Sequence, residues 1–116
     1  MDEINEKTVA EAVGKAIARR RSDRGLTQEQ VAEKLDVGNE AVSRMERGIV
    51  IPNIVRLYQM ASALGCEASD LLSEASPRSD DQGRRISALL QQLEDADRQL
   101  VIRLVEQLAA RLRPPL

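Results

Sequence analysis

An all-α fold is predicted by three features of the sequence. Apolar residues recur at three- and four-residue spacing, no stretch alternates apolar with polar, and the hydrophobic side chains are nearly all aliphatic. Among 116 residues there is one Tyr, with no Phe and no Trp. Strands tend to recruit aromatic and β-branched side chains, so a core of Leu, Val, Ile and Ala points to packed helices. This length makes about one domain, with one modest core and an appended element. Hydrophobic residues at 42% and charged residues at 31% suit a folded chain rather than a disordered one.

Five helices are expected between Val13 and Leu72. The first places Val13 and Ile17 on one face, arginines on the rest, and stops near Gly25, a residue suited to the left-handed cap. Thr27 opens the second, with Gln30 three residues on completing a capping box, and Val31, Ala32 and Leu35 form its buried stripe. Asp36, Val37 and Gly38 break the chain. A third helix runs from about Asn39 to Arg47, burying Val42 and Met45, and Gly48 ends it. Asn53 after Pro52 caps a fourth, presenting Ile54, Leu57, Ala61 and Leu64 before Gly65 stops it. A short fifth contributes Leu71 and Leu72.

Beyond this the composition changes. Ser, Pro, Asp and Gly dominate from Ser73 to Gly83, as in a linker. Helical spacing returns at Ile86, Leu89, Leu90 and Leu93, breaks at Glu94-Asp95 where Asp95 can cap a new start, and resumes through Leu100, Val101, Leu104, Val105, Leu108 and Leu112. Pro114-Pro115 ends it. The expected layout is an acidic N-terminal tail at 1–12, a five-helix domain at 13–73, a linker at 74–83 and a helical segment at 84–113, read as a hairpin or one bent helix. The acidic tail either lacks structure or extends the first helix.

Composition also excludes chemistry. The chain has no His and one Cys, which removes the commonest general base and metal ligand, intrachain disulfides and multi-cysteine metal sites. No constellation suggests catalysis, so an enzyme is not expected, nor is a cofactor or a metal. Cys66 is expected as a small buried hydrophobe rather than a redox switch. No apolar run approaches a membrane span and the start is acidic, unlike a signal peptide, so a cytoplasmic protein is expected. The net charge of −2 hides a local contrast. Residues 1–12 carry four acids against Lys7, while residues 15–24 carry Lys15, Arg19, Arg20, Arg21 and Arg24 against Asp23.

The run Gly25-Leu26-Thr27-Gln28-Glu29-Gln30-Val31-Ala32, followed by Val42-Ser43-Arg44-Met45-Glu46-Arg47-Gly48, resembles the Cro/phage-repressor (Xre-like) helix-turn-helix family. Small Ala32 falls where the two helices cross, and Pro52, Leu57, Ala61, Leu64 and Gly65 continue the pattern, so the resemblance covers roughly residues 13–72. It implies a five-helix, lambda-repressor-like DNA-binding domain and a sequence-specific transcriptional regulator. In that geometry the second helix of the pair projects from the globule into a major groove, so its outer face must be polar.

With Val42 and Met45 inward, Asn39, Glu40, Ser43 and Arg44 are the expected base readers. Asn suits adenine, Glu accepts from cytosine N4, and Arg suits guanine O6 and N7. Gln28 opens the second helix, where the family binds phosphate and a helix N-terminus adds N–H donors. Arg20 and Arg47 are the further phosphate candidates. Arg21 and Glu46 match a structural ion pair between the first and third helices. Three departures stand out. Gly38 sits where Ser or Thr usually caps, Ile49-Val50-Ile51 replaces an often basic loop, and Glu40 brings negative charge towards DNA.

A single small module reads few bases, so a dimer on a palindromic operator is expected, with double-stranded DNA as partner and a repressor as the leading role. Leu100, Val101, Leu104, Val105, Leu108 and Leu112 form the expected dimerisation stripe; the alternative folds it back on its own domain. Ile49, Val50 and Ile51 either meet the tail or a partner chain, or pack on the fourth helix. A second functional reading is an adaptor or antitoxin-like protein that docks a protein partner.

Overall fold

The protein is described here from a computed structural model, over residues 5–114. Those residues form seven helices and no strand: α1 (Glu6–Asp23), α2 (Gln28–Leu35), α3 (Asn39–Glu46), α4 (Ile54–Leu64), α5 (Ala68–Ala75), α6 (Ser79–Gln91) and α7 (Asp95–Leu112). They divide into two compact units, one up to Gln82 and one from Gly83, so α6 crosses the boundary.

The first unit is held by a core that α1 to α5 share. Ile17, Val31, Val42, Met60 and Leu71 are fully enclosed, and Val13, Ala32, Leu35, Met45, Leu57, Ala61 and Leu64 are buried around them. Local chemistry fixes where each helix begins and stops. Thr27 and Gln30 form the expected capping box, Gln30 N–H donating to Thr27 Oγ1 at 3.0 Å and Thr27 N–H to Gln30 Oε1 at 2.8 Å. Asn53 Oδ1 accepts from Arg56 N–H at 2.7 Å to open α4. Gly25, Gly48 and Gly65 all hold φ near +70°, the left-handed conformation that ends α1, α3 and α4.

Three boundaries and two burial assignments differ from expectation. Of the two alternatives for the acidic stretch, residues 6–12 take the second and extend the first helix, since α1 begins at Glu6. Asn5 Oδ1 accepts from Lys7 N–H at 3.0 Å and Thr8 N–H at 3.2 Å, and Ala10 extends the buried face of Val13 and Ile17 by one turn. Met1 to Ile4 lie outside the described residues. The linker at 74–83 shrinks to residues 76–78, because α5 continues to Ala75 and α6 starts at Ser79. Ser76 precedes Pro77 and is extended, as that neighbour requires, while Asp80 and Asp81 sit in the first turn of α6, where acids suit the helix dipole. Asp95 is the first residue of α7 and Glu94 the cap position. Ile54 is 73% exposed rather than in the core, and the buried face of α4 runs instead through Leu57, Met60, Ala61 and Leu64. Leu72 is exposed as well.

In the second unit two helices, rather than one bent helix, follow each other. Arg98 of α7 donates to the carbonyl of Leu93 at 2.7 Å, fixing the turn between them. Neither α6 nor α7 buries a single residue, and the two do not pack along their lengths. Arg113 is extended ahead of Pro114, which stops α7; Pro115 lies outside the described residues.

Candidate nucleic-acid interface

The outer face of α3 depends on how tightly its inner face is held. Val42 and Met45 point into the core, and α1 approaches so closely at Gly14 that a Cβ there would lie 2.5 Å from the carbonyl oxygens of Met45 and Glu46. Only glycine permits that crossing. Glu46, whose side chain is 6% exposed, then ties three helices together. Its carboxylate accepts from Arg21 Nε at 2.6 Å and Nη2 at 3.1 Å on α1, and from Gln28 Nε2 at 2.9 Å on α2. Arg21 also donates through Nη1 to the Leu26 carbonyl at 2.8 Å. Hydrogen bonding to Glu46 holds the Arg21 guanidinium above its ordinary pKa, against the opposing effect of burial.

With α3 anchored this way, Asn39, Glu40, Arg44 and Arg47 face solvent and Ser43 is half-buried at the edge of that face. Glu40 lies between the two arginines. Its Oε1 accepts from Arg47 Nη2 at 2.9 Å and lies 3.5 Å from Arg44 Nε. Ser43 Oγ accepts from Arg47 Nε at 3.1 Å. The helix opens on Gly38, whose N-cap position makes no side-chain bond.

Not every expected phosphate contact keeps a free side chain. Arg20 is paired within the fold. Its Nε and Nη2 donate to Glu74 Oε1 at 3.0 and 2.7 Å, and Arg19 Nη2 lies 2.7 Å from the other oxygen. Arg20 therefore joins α1 to α5, and the bond to Glu74 holds its guanidinium above the ordinary pKa, against burial. Sequence reasoning placed Glu74 in a linker and so left Arg20 without its partner. Gln28 does open α2, with its side chain turned to Glu46. Gly14 was also missed, although a glycine inside a helical pattern is itself a mark of close backbone approach.

Around this face Ile49 and Ile51 are well exposed and Val50 partly so, so the loop does not bury itself against α4. A groove of about 270 Å3 runs between that loop and α3, bordered by Arg44 and Arg56. In the second unit Leu100, Leu104, Val105, Leu108 and Leu112 are all exposed in the single chain, and Val101 is half-exposed. Cys66 is half-buried, and burial pushes its thiol up, with Arg20 acting in the opposite direction. No helix among the described residues is long and apolar enough to cross a membrane.

Known proteins are similar to this chain. A helix-turn-helix family model matches residues 17–71. The uncharacterized HTH-type transcriptional regulator y4dJ of Sinorhizobium fredii is 38% identical over 61 residues, which cover 53% of this chain and 79% of that protein. Multiprotein-bridging factor 1 of Eremothecium gossypii is 36% identical over 64 residues, 55% of this chain but only 42% of that protein. Among solved structures, the clp gene regulator ClgR from Corynebacterium glutamicum superposes with a TM-score of 0.57 at 29% identity, over 85% of this chain and 92% of that one.

Proposed function

Because this chain belongs to the helix-turn-helix family of transcriptional regulators, we propose that it binds duplex DNA as a homodimer and represses transcription at a palindromic operator. The observation that carries this reading is the two-sidedness of α3. Its inner side is locked by Val42, Met45 and the Glu46 cluster, and its exposed residues, Asn39, Glu40 and Arg44, are all polar. Asn39, Glu40 and Arg44 are the base readers, with Ser43 at their edge. Gln28, at the N-terminus of α2, and Arg47 meet phosphate. Arg20 is a further phosphate candidate, one that would exchange its bonds to Glu74 for the phosphate.

The dimer rests on the unburied stripe of α7 from Leu100 to Leu112, which a second copy would cover by the two-fold arrangement usual for homo-oligomers. Two such modules address half-sites about 34 Å apart. A cytoplasmic protein without enzymatic activity fits this role.

Binding of full-length protein to a duplex series checks the assignment. Arg44→Ala should reduce discrimination at one base pair by about 1–3 kcal/mol. Gln28→Ala should weaken cognate and scrambled duplexes alike. If both variants bind as the parent does, the residues are wrongly assigned.

A second reading, a docking adaptor, draws on the exposed Ile49 and Ile51 beside the α3 groove and on the likeness to a multiprotein-bridging factor. A stoichiometric protein partner on purification from the native host, with no duplex binding at low salt, would favour it.

A further inference from the structure

We propose that Glu40 is an internal counterion that withholds Arg44 and Arg47 from DNA until a base bearing an amino group takes its carboxylate, making it a determinant of specificity. This rests on the DNA-binding reading above. One oxygen, Oε1, serves both arginines, at 2.9 Å from Arg47 Nη2 and 3.5 Å from Arg44 Nε. The spacing of four and seven residues puts all three on one helix face. All three are exposed, so each ion pair is weak and yields readily to a better partner.

The direction of the exchange follows from charge. An arginine that leaves Glu40 for a phosphate gains an anion, but it leaves a carboxylate unpaired against a polyanion. Where the groove edge presents acceptors, such as thymine O4 or guanine O6 and N7, the carboxylate has no donor and is repelled. Where it presents cytosine N4 or adenine N6, the amino group donates to Glu40 and both arginines are released together. Reading that base and engaging guanine or phosphate through Arg44 and Arg47 thus become one event. Ser43 holds Arg47 in place for it through the 3.1 Å bond to Nε.

The test compares the full chain with Glu40→Ala and Glu40→Gln, on a duplex selected from a random pool and on a scrambled duplex, across 50–200 mM salt. Glu40 is exposed, and the isosteric Gln guards against a folding artefact. Releasing one arginine to phosphate should steepen the logarithmic salt dependence by about 0.9 and tighten scrambled-duplex binding about fivefold or more near 100 mM salt. Preference for the selected duplex should fall by a similar factor. In an Arg47→Ala background the gain from Glu40→Ala should shrink, as coupled residues require. Scrambled-duplex affinity and salt slope that stay at the parent's values overturn the proposal. So does a gain of undiminished size without Arg47, which would reflect loss of a negative charge alone. A parent protein that selects no duplex contradicts the DNA-binding reading itself, whereas a selective parent whose Glu40 variants behave like it contradicts only this inference.

Discussion

Glu46 accepts hydrogen bonds from α1 and α2 while belonging to α3, so its loss uncouples the pitch of α3 from the rest of the domain. Glu46→Ala leaves Arg21 half-buried without its anion. The expected cost is about 2–4 kcal/mol, below the fully buried limit because Arg21 keeps some solvent, and a urea melt reads it directly. Gly14→Ala drives a methyl into two carbonyl oxygens and should cost about 2 kcal/mol or more in the same measurement. Cys66 gives the pH dependence. Burial raises its pKa in the folded state, so the folded chain holds the thiol proton where the unfolded chain has lost it. That contribution is fully present below the unfolded thiol's pKa and fades as pH rises through the folded value. Stability measured above about pH 9 should therefore decline less in Cys66→Ala than in the parent. An identical alkaline decline in both would mean that the thiol makes no such contribution.

At the scale of helices, α3 starts without a side-chain cap, since Gly38 has none to offer. A Cβ there meets nothing within 4 Å, so Gly38→Ser should stabilise the domain by a few tenths of a kcal/mol, visible as a higher denaturation midpoint. Its neighbours show what made the fold readable. Thr27 with Gln30, Asn53, and the glycines at 25, 48 and 65 announce helix ends by local chemistry, and local chemistry is what a sequence displays. The misplacements arose where composition stood in for geometry. Glu6 and Glu11 looked like a solvated tail, but Asn5 caps them into α1. Ser79, Asp80 and Asp81 looked like a linker, but acids at a helix start are favourable. The partnership of Arg20 with Glu74 and the tight crossing at Gly14 are tertiary facts that spacing along one helix cannot reveal. The outward set on α3 was legible because Val42 and Met45 fix which way that helix faces. The ties that Glu40 and Ser43 make to Arg47 were not.

For the whole molecule, the apolar stripe of α7 is the feature a single chain leaves unsatisfied. Leu104 and Leu108 are each at least half exposed, one turn apart. Leu104→Arg with Leu108→Arg should shift the chain to monomer in sedimentation equilibrium and weaken operator binding, while leaving the melting of the five-helix domain near its parent value. A domain that unfolds with them would instead support the fold-back of this stripe. The central claim, that α3 is anchored inside so that its outer face meets base edges, is tested most directly by selection from a random duplex pool with the full-length protein. Paired, inverted half-sites with centres about one helical turn apart should be enriched. A pool that emerges unenriched at low salt would contradict that claim, whereas enrichment without inverted repeats would contradict the two-fold dimer alone.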